Sequence, residues 1–278
     1  MDVSIIIVSY NTRELLQDCI RSIIDSTKGL ACEIIVVDNN STDGSQQMLN
    51  ETYPDVKVLC NSDNIGFSRA NNAGYNVSNG EYLLFLNSDT IILNNAVLKM
   101  ADYLKRHTKA GILGPKILNE RREPTRSYMR FLDAKMLFLG SKRLRFLVEV
   151  ENYRLHFPVY DYNSIRKVPW LSGACLMIRR KVFEEAGLFD EHYFFYLEDV
   201  DLCLQVNRLG YDVVYFPVVD IIHMFGGSSN QHPDHLHKLY DKSMAYYFRK
   251  NMPGIQYLLA LLYIRFISDF LHRHREDS

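Results

Sequence analysis

Short, nearly continuous apolar runs alternate with helical patterns through the first third of the chain. Val3-Ser-Ile-Ile-Ile-Val-Ser9 is β-branched and apolar almost throughout, as a strand covered on both faces must be. Leu15, Leu16, Cys19, Ile20, Ile23 and Ile24 then recur at helical spacing, with Asn11 and Thr12 placed to cap that helix. Glu33–Asp38 predicts a second strand. It runs into an Asn/Ser/Thr/Asp/Gly turn that opens a helix near Ser45. Glu81–Leu86 predicts another strand, ending at Asn87-Ser88-Asp89. Further on, Ala174–Ile178 reads as a strand followed by a short helix closed by Gly187. Leu197–Leu209 reads as a helix closed by Gly210, and Tyr211–Phe216 and Val218–His223 as two more strands. The alternation implies an α/β fold with a largely parallel sheet and right-handed crossovers.

The polar residues that interrupt this pattern fall at strand ends: Ser9-Tyr10-Asn11, Asp38-Asn39-Asn40 and Asn87-Ser88-Asp89. In open α/β sheets the crevice at the carboxyl edge is where ligands bind. Three strands point at one such crevice.

Composition narrows the class. Of 278 residues, 47% are hydrophobic and 23% charged, which suits a folded chain with a sizeable core and excludes disorder over most of its length. Lys plus Arg (32) nearly balances Asp plus Glu (33), so no global field recruits nucleic acid. The five cysteines are odd in number and form no CxxC pair, which excludes a complete disulfide framework and zinc-finger spacing and favours a reducing compartment. Val3–Val8 follows no basic leader, which argues against a signal peptide, and no run of roughly 18 uncharged apolar residues predicts a membrane span.

Four segments carry candidate chemistry. Asn87-Ser88-Asp89 ends a strand with a carboxylate that could share Mg²⁺ or Mn²⁺ with diphosphate oxygens, although Asn, Ser and Asp are also ordinary turn formers. Glu198-Asp199-Val200-Asp201 follows Tyr193-Phe194-Phe195-Tyr196. Carboxylates in a first helical turn often only complement the dipole, but beside aromatic rings desolvation and mutual repulsion raise their proton affinity toward general-base use. His223 closes a strand before Met224-Phe225-Gly226-Gly227-Ser228, where glycines allow close approach of a ligand. Asn64-Ile-Gly66 precedes a helix start, with Arg69 one turn on, and its N–H groups and guanidinium could meet phosphate. GxGxxG, GxxxxGK[ST] and GxSxG are all missing, which weakens dehydrogenase, NTPase and serine-hydrolase readings.

Taken in order, these pieces resemble family 2 of the inverting nucleotide-sugar glycosyltransferases, particularly its bacterial rhamnosyltransferase-like branch. They are Val3–Asn11, Ile35–Ser45, Asn64–Phe67 through Asn72, Phe85–Asp89, Gly114-Pro-Lys116, Leu171–Ala174, Gly187–Glu191, Glu198–Asp201 and His223. The match covers about residues 3 to 228 and is more specific at family than at branch level. It implies a glycosyltransferase A-type fold, in which a Rossmann-like nucleotide half and an acceptor half share a mixed central sheet, followed by C-terminal helices. The implied division is a catalytic domain over 1–228 and a helical extension over 229–278.

By the same resemblance, Ser9, Tyr10 and Asp38 line the nucleobase and ribose pocket, with Asn64, Arg69, Asn87, Trp170 and Glu198 as further substrate contacts. Asp89 matches the last aspartate of the family's metal motif, His223 its histidine ligand and Asp199 the catalytic base. Asn87 stands where that motif has its first aspartate, so the site carries one negative charge fewer. The implied cofactor is Mg²⁺ or Mn²⁺. The implied substrates are a nucleotide-diphosphate sugar, dTDP-L-rhamnose first, and a saccharide or polyprenyl-diphosphate-linked acceptor in cell-surface polysaccharide synthesis. A UDP-linked galactose, glucose or N-acetylglucosamine donor is the alternative, and a noncatalytic nucleotide-sugar-binding subunit a third.

Two segments bear on location. Residues 121–167 carry eleven cations against five carboxylates, in the family's variable acceptor region. They make either a solvated face or a surface for a lipid-linked diphosphate or anionic headgroups. Ile255–Leu271 is apolar but interrupted by Arg265 and Asp269, which suits an in-plane helix on a membrane surface or a contact with a second chain. The expected location is cytoplasmic, peripheral on the inner face of the cell membrane.

Overall fold

The computed structural model describes residues 2–134, 137, 161–224 and 233–265. Its centre is a nine-stranded mixed sheet. Strands β1 (Val3–Ser9), β2 (Cys32–Asp38), β3 (Lys57–Cys60) and β4 (Tyr82–Asn87) are parallel, in the order β3-β2-β1-β4. The helices that return the chain between them are α1 (Arg13–Ser26), α2 (Ser45–Thr52) and α3 (Phe67–Asn76). A short β5 (Thr90–Ile92), α4 (Ala96–Arg106) and β6 (Ala110–Leu118) follow.

The second half inserts antiparallel strands. β7 (Tyr128–Met129) pairs with β9 (Trp170–Leu171) in a small separate ribbon, while β8 (Arg166–Lys167) joins the main sheet on the last strand, β11 (Asp212–His223). β10 (Cys175–Arg179) runs antiparallel between β4 and β6. After α5 (Arg180–Glu185) and α6 (Glu198–Arg208), β11 (Asp212–His223) pairs with β6 and, antiparallel, with β5. Two helices, α7 (Pro233–Asn251) and α8 (Ile255–Tyr263), complete the described chain.

The uninterrupted apolar strands are explained by helices on both faces. Ile5 and Ile7 pack with Leu16, Ile20, Met100 and Leu104 from α1 and α4. Ile6, between them in sequence, packs on the other face with Ala70, Phe183, Leu202 and Val206. A third cluster joins Tyr193, Leu197 and Val200 to Met244, Tyr247, Phe248 and Ala260, so α7 and α8 share a core with the segment that opens α6. One expectation needs correction. Tyr211–Phe216 and Val218–His223 form a single strand: Pro217 supplies no ladder N–H, and the register shifts between Phe216 and Asp220 without ending the pairing.

Candidate active site

The parallel register sets the first wall of the crevice. Ser9 lies opposite Asp38, and Val8 opposite Asn87, at the carboxyl ends of β1, β2 and β4. Ser9 is fully buried and its Oγ lies 3.0 Å from Thr12 Oγ1, which donates to Ser88 Oγ at 2.9 Å. Thr12 therefore occupies the N-cap position of α1 without capping it, because its hydroxyl ties β1 to the turn after β4. Asp38 is also fully buried. Its Oδ1 accepts from the Ser41 N–H at 2.9 Å and Gln46 Nε2 at 2.6 Å, whereas Oδ2 has no hydrogen-bond partner among the described residues. An orphaned buried acceptor is costly, and a ligand N–H or hydroxyl would satisfy it. Tyr10 is half-buried at the same edge.

The loop at residues 64–67 is built for a different purpose than expected. Asn64 Oδ1 accepts from the Gly66 N–H at 3.1 Å and from Asn39 Nδ2 at 3.3 Å. The Phe67 N–H donates to the Phe194 carbonyl at 2.7 Å. Gly66 sits at φ +86°, where a Cβ would lie 2.7 Å from that same carbonyl oxygen. These N–H groups are thus used within the protein rather than offered to phosphate, and Asn64 shapes the loop. Arg69 is exposed and lies 3.6 Å from Glu191.

The second wall joins β4, β5 and β11. Pairing of His223 with Thr90 brings His223 Nε2 to 3.1 Å from Asp89 Oδ1 and 3.3 Å from Asn87 Nδ2. Both side chains are largely shielded, at 12% and 6% exposure. No cluster of three or more acidic, His or Cys side chains forms among the described residues. One carboxylate and one imidazole nonetheless fit a hard divalent cation that takes its remaining ligands from diphosphate and water. The glycines at 226 and 227 lie outside the described residues. Beside His223 opens a cavity of about 220 Å³ lined also by Asn119, Glu120, Arg121 and Glu123.

The third wall carries Glu198 and Asp199. Tyr196 (φ 70°) and Leu197 (φ 68°) are both left-handed, a conformation bulky residues adopt only when the surroundings impose it. Asp199 is half-buried. Its Oδ2 accepts from the Gly173 N–H at 2.7 Å and its Oδ1 from the Val200 N–H at 2.8 Å. Burial pushes the Asp199 carboxyl up to about 6, against the opposing pull of those N–H groups. Glu198 is buried, and burial together with the Asp199 charge raises it well above the carboxylate range. Its Oε2 has no partner among the described residues. Asp201, the third carboxylate, does not join this pair. It faces α7, with Lys250 and Asn251 at 2.7 Å.

The walls are bonded to one another. The Asn87 N–H donates to the Ala174 carbonyl at 3.0 Å, one residue beyond Gly173, so the Asp199 seat and the Asp89–His223 pair hang on adjacent backbone. Trp170 is half-buried, and its indole N–H donates to the Arg130 carbonyl at 2.7 Å. That bond spends its polar atom on the protein and leaves the ring face for any substrate contact. Sequence reasoning placed Asn39 at the crevice edge but gave it no role of its own, and it is a buried hub bonded to Asn61, Asn64 and Gly66. That reasoning missed the Thr12–Ser88 link, and Gly173.

Comparison with known proteins shows the family and the fold. Residues 4–187 match the family described as Glycosyl transferase family 2, and the chain belongs to that family. Its fold is of the glycosyltransferase A type. It is similar to the N-acetylglucosaminyl-diphospho-decaprenol L-rhamnosyltransferase of Mycobacterium tuberculosis, 27% identical over 253 residues that cover 82% of this chain and 78% of that one. Rhamnosyltransferase WbbL of Escherichia coli K12 is 27% identical over 165 residues, or 57% of this chain and 60% of that. Among solved structures, GalNAc-T7 with UDP, GalNAc and Mn²⁺ superposes with a TM-score of 0.65 at 19% identity, covering 99% of this chain and 58% of that one.

Proposed function

We propose that this glycosyltransferase moves a sugar with inversion from a nucleoside-diphosphate donor, dTDP-L-rhamnose, to a saccharide carried on polyprenyl diphosphate. The observation that carries the mechanism is the Asp199 carboxylate, seated by two backbone N–H groups one residue from the backbone that holds Asn87. The rhamnosyl donor is supported by the two rhamnosyltransferase relatives, and the lipid-linked acceptor by the Mycobacterium tuberculosis one.

A sugar hydroxyl is a weak nucleophile, so Asp199 takes its proton as it attacks the anomeric carbon. With its proton affinity raised to about 6, Asp199 is ionised at neutral pH yet more basic than an ordinary carboxylate. With one base and no second carboxylate acting as nucleophile, the displacement is single and inverts the anomeric centre. Asp38 and Ser9 orient the nucleoside, and the vacant hydrogen-bonding capacity of Asp38 Oδ2 is its anchor. Asp89 and His223 would hold Mg²⁺ or Mn²⁺, which when bound supplies positive charge for the departing diphosphate.

Asp199→Asn is expected to abolish transfer while dTDP binds as in wild type by calorimetry. Near-normal turnover would remove Asp199 from this role. A thermal-shift panel of dTDP-, UDP- and GDP-sugars with Mn²⁺ tests the donor, since a ligand of the native state raises the melting temperature. A shift with a UDP-sugar and none with dTDP-rhamnose would replace the donor proposed here.

A lipid-linked acceptor also requires a membrane surface nearby. No described helix is long and apolar enough to cross a membrane. On α8, however, Ile255, Leu258, Leu261 and Leu262 are 37–69% exposed, while Ala260 is fully buried. That stripe is the face that would lie on lipid. Vesicle sedimentation checks it: full-length protein staying in the supernatant at low salt, as a truncation after Pro253 does, defeats peripheral binding.

A further inference from the structure

Segment 190–201, which carries the two left-handed residues and Asp199, is held from one side by a single helix. Lys250 Nζ of α7 lies 2.6 Å from Asp190 Oδ2 and 2.7 Å from Asp201 Oδ2. Tyr246 OH donates to the same Asp190 oxygen at 2.9 Å, Asn251 Nδ2 to Asp201 Oδ1 at 2.7 Å, and Ser243 Oγ to the Phe195 carbonyl at 2.8 Å. All these donors belong to α7 and all the acceptors to the segment. Ser243, Tyr246 and Lys250 recur at i, i+3 and i+7, so they line one helix face. Between them Met244, Tyr247 and Phe248 bury against Tyr193, Leu197 and Val200. On the far side the segment meets the nucleotide half through the Phe67 N–H on the Phe194 carbonyl at 2.7 Å, and the residue just before it, Phe189, accepts from Asn72 Nδ2 at 2.9 Å.

We propose that Lys250 is a positioning residue for sugar transfer: by clamping Asp190 and Asp201 it fixes the strained turn that presents Asp199 to the acceptor. This rests on Asp199 as the base. The physical reason is charge. Asp190 and Asp201 bracket the turn, and the Asp201 side chain is only 3% exposed. Two shielded carboxylates drawn onto one ammonium hold together, whereas without it they repel and each is left uncompensated. Burial pushes the Asp190 carboxyl up, but hydrogen bonds from Lys250, His192 and Tyr246 outweigh it and hold the group well below the usual carboxylate range. Burial likewise lowers Lys250, and its two carboxylate partners more than reverse that. Among the described residues of α7, no other side chain supplies a cation to both carboxylates. The helix lies outside residues 4–187, beyond the stretch that matches the family.

The test compares Lys250→Met and Lys250→Arg with wild type in melting temperature, dTDP affinity by calorimetry, and steady-state transfer. Lys250→Met is expected to remain folded at the assay temperature and to bind dTDP within about twofold of wild type. Its kcat should fall about tenfold or more at nearly constant donor KM, and Lys250→Arg should recover most of the loss. A wild-type kcat in Lys250→Met, or a fall matched by equal loss of dTDP affinity, overturns the proposal. Should Lys250→Met fail to fold, Ser243→Ala and Asn251→Ala each remove one neutral contact of the same brace. Each is then expected to lower kcat by about threefold with donor KM unchanged, and wild-type kcat in both overturns the proposal. The base assignment fails separately, through an active Asp199→Asn.

Discussion

The Gly173 N–H donates to Asp199 Oδ2 at 2.7 Å, which seats the proposed base on the backbone that leads into β10. A Cβ at position 173 would lie 3.2 Å from both Asp199 Cβ and Oδ2, tighter than ordinary packing contacts. Because Asp199 opens a helix, its own Cβ has little room to retreat. Gly173→Ala is therefore expected to turn the carboxylate off its seat, lowering kcat by about tenfold while costing only about 1 kcal/mol of stability. Steady-state transfer and thermal melts on the same preparation check this. A large stability loss with unchanged kcat would mean the close approach matters for packing alone.

Burial of the Asp199 carboxyl has two consequences with opposite signs. As a base it must be ionised, so kcat/KM should fall as pH drops through about 6. For stability, the folded state holds this proton more tightly than the unfolded chain, whose carboxyl titrates near 3.8. The group's contribution is therefore full below the unfolded value and lost as pH rises through about 6. Asp199→Asn removes that loss and should be more stable than wild type at about pH 8, by about 1 to 2 kcal/mol. That is less than the full shift would convert to, because the carboxylate is partly open to water. Melting curves across pH should converge below about pH 4. A variant less stable than wild type at high pH would contradict the burial account.

Much of this site is legible along the chain because its residues punctuate apolar strands. Asp38, Asp89 and His223 each end or follow a run whose burial on both faces leaves little choice of where it terminates. Gly66 is legible as a special backbone position, but its reason, the carbonyl of Phe194, lies far along the chain. The same distance hides the clamp on Lys250: a cation on α7, one carboxylate in the loop at Asp190 and another on α6 leave no periodic trace. Tyr196 and Leu197 are hidden for a different reason. Aromatic and branched residues carry no sign of a left-handed backbone, which here is imposed by packing. Asn64 misleads in the opposite way, since its side chain does the job of a turn residue within the loop.

Gly66 itself gives a stability prediction. An alanine there meets Phe194 O at 2.7 Å and Phe194 Cδ2 at 2.8 Å, and must also hold φ +86°. Backbone cannot move aside as a flexible side chain can. Gly66→Ala should cost about 2 to 4 kcal/mol, visible as a drop in melting temperature and loosened dTDP binding. A variant melting with wild type would show that the 64–67 loop and the aromatic run separate easily.

The amide at position 87 sets the charge of the proposed metal site. Asn87 Nδ2 lies 3.3 Å from His223 Nε2, and Asp89 Oδ1 lies 3.1 Å from the same nitrogen, so one carboxylate and one neutral side chain face the imidazole. A second carboxylate there adds an oxygen ligand and a negative charge, both of which favour a hard cation. Asn87→Asp is expected to lower the Mn²⁺ concentration for half-maximal activation by about threefold or more, while chelation abolishes transfer in both proteins. The gain need not raise kcat, since a metal held too tightly by protein gives less of its charge to the leaving diphosphate. Titration of activity with Mn²⁺ after chelation measures the effect directly. Transfer that survives chelation, or identical activation curves for the two proteins, would remove Asp89 and His223 from metal binding.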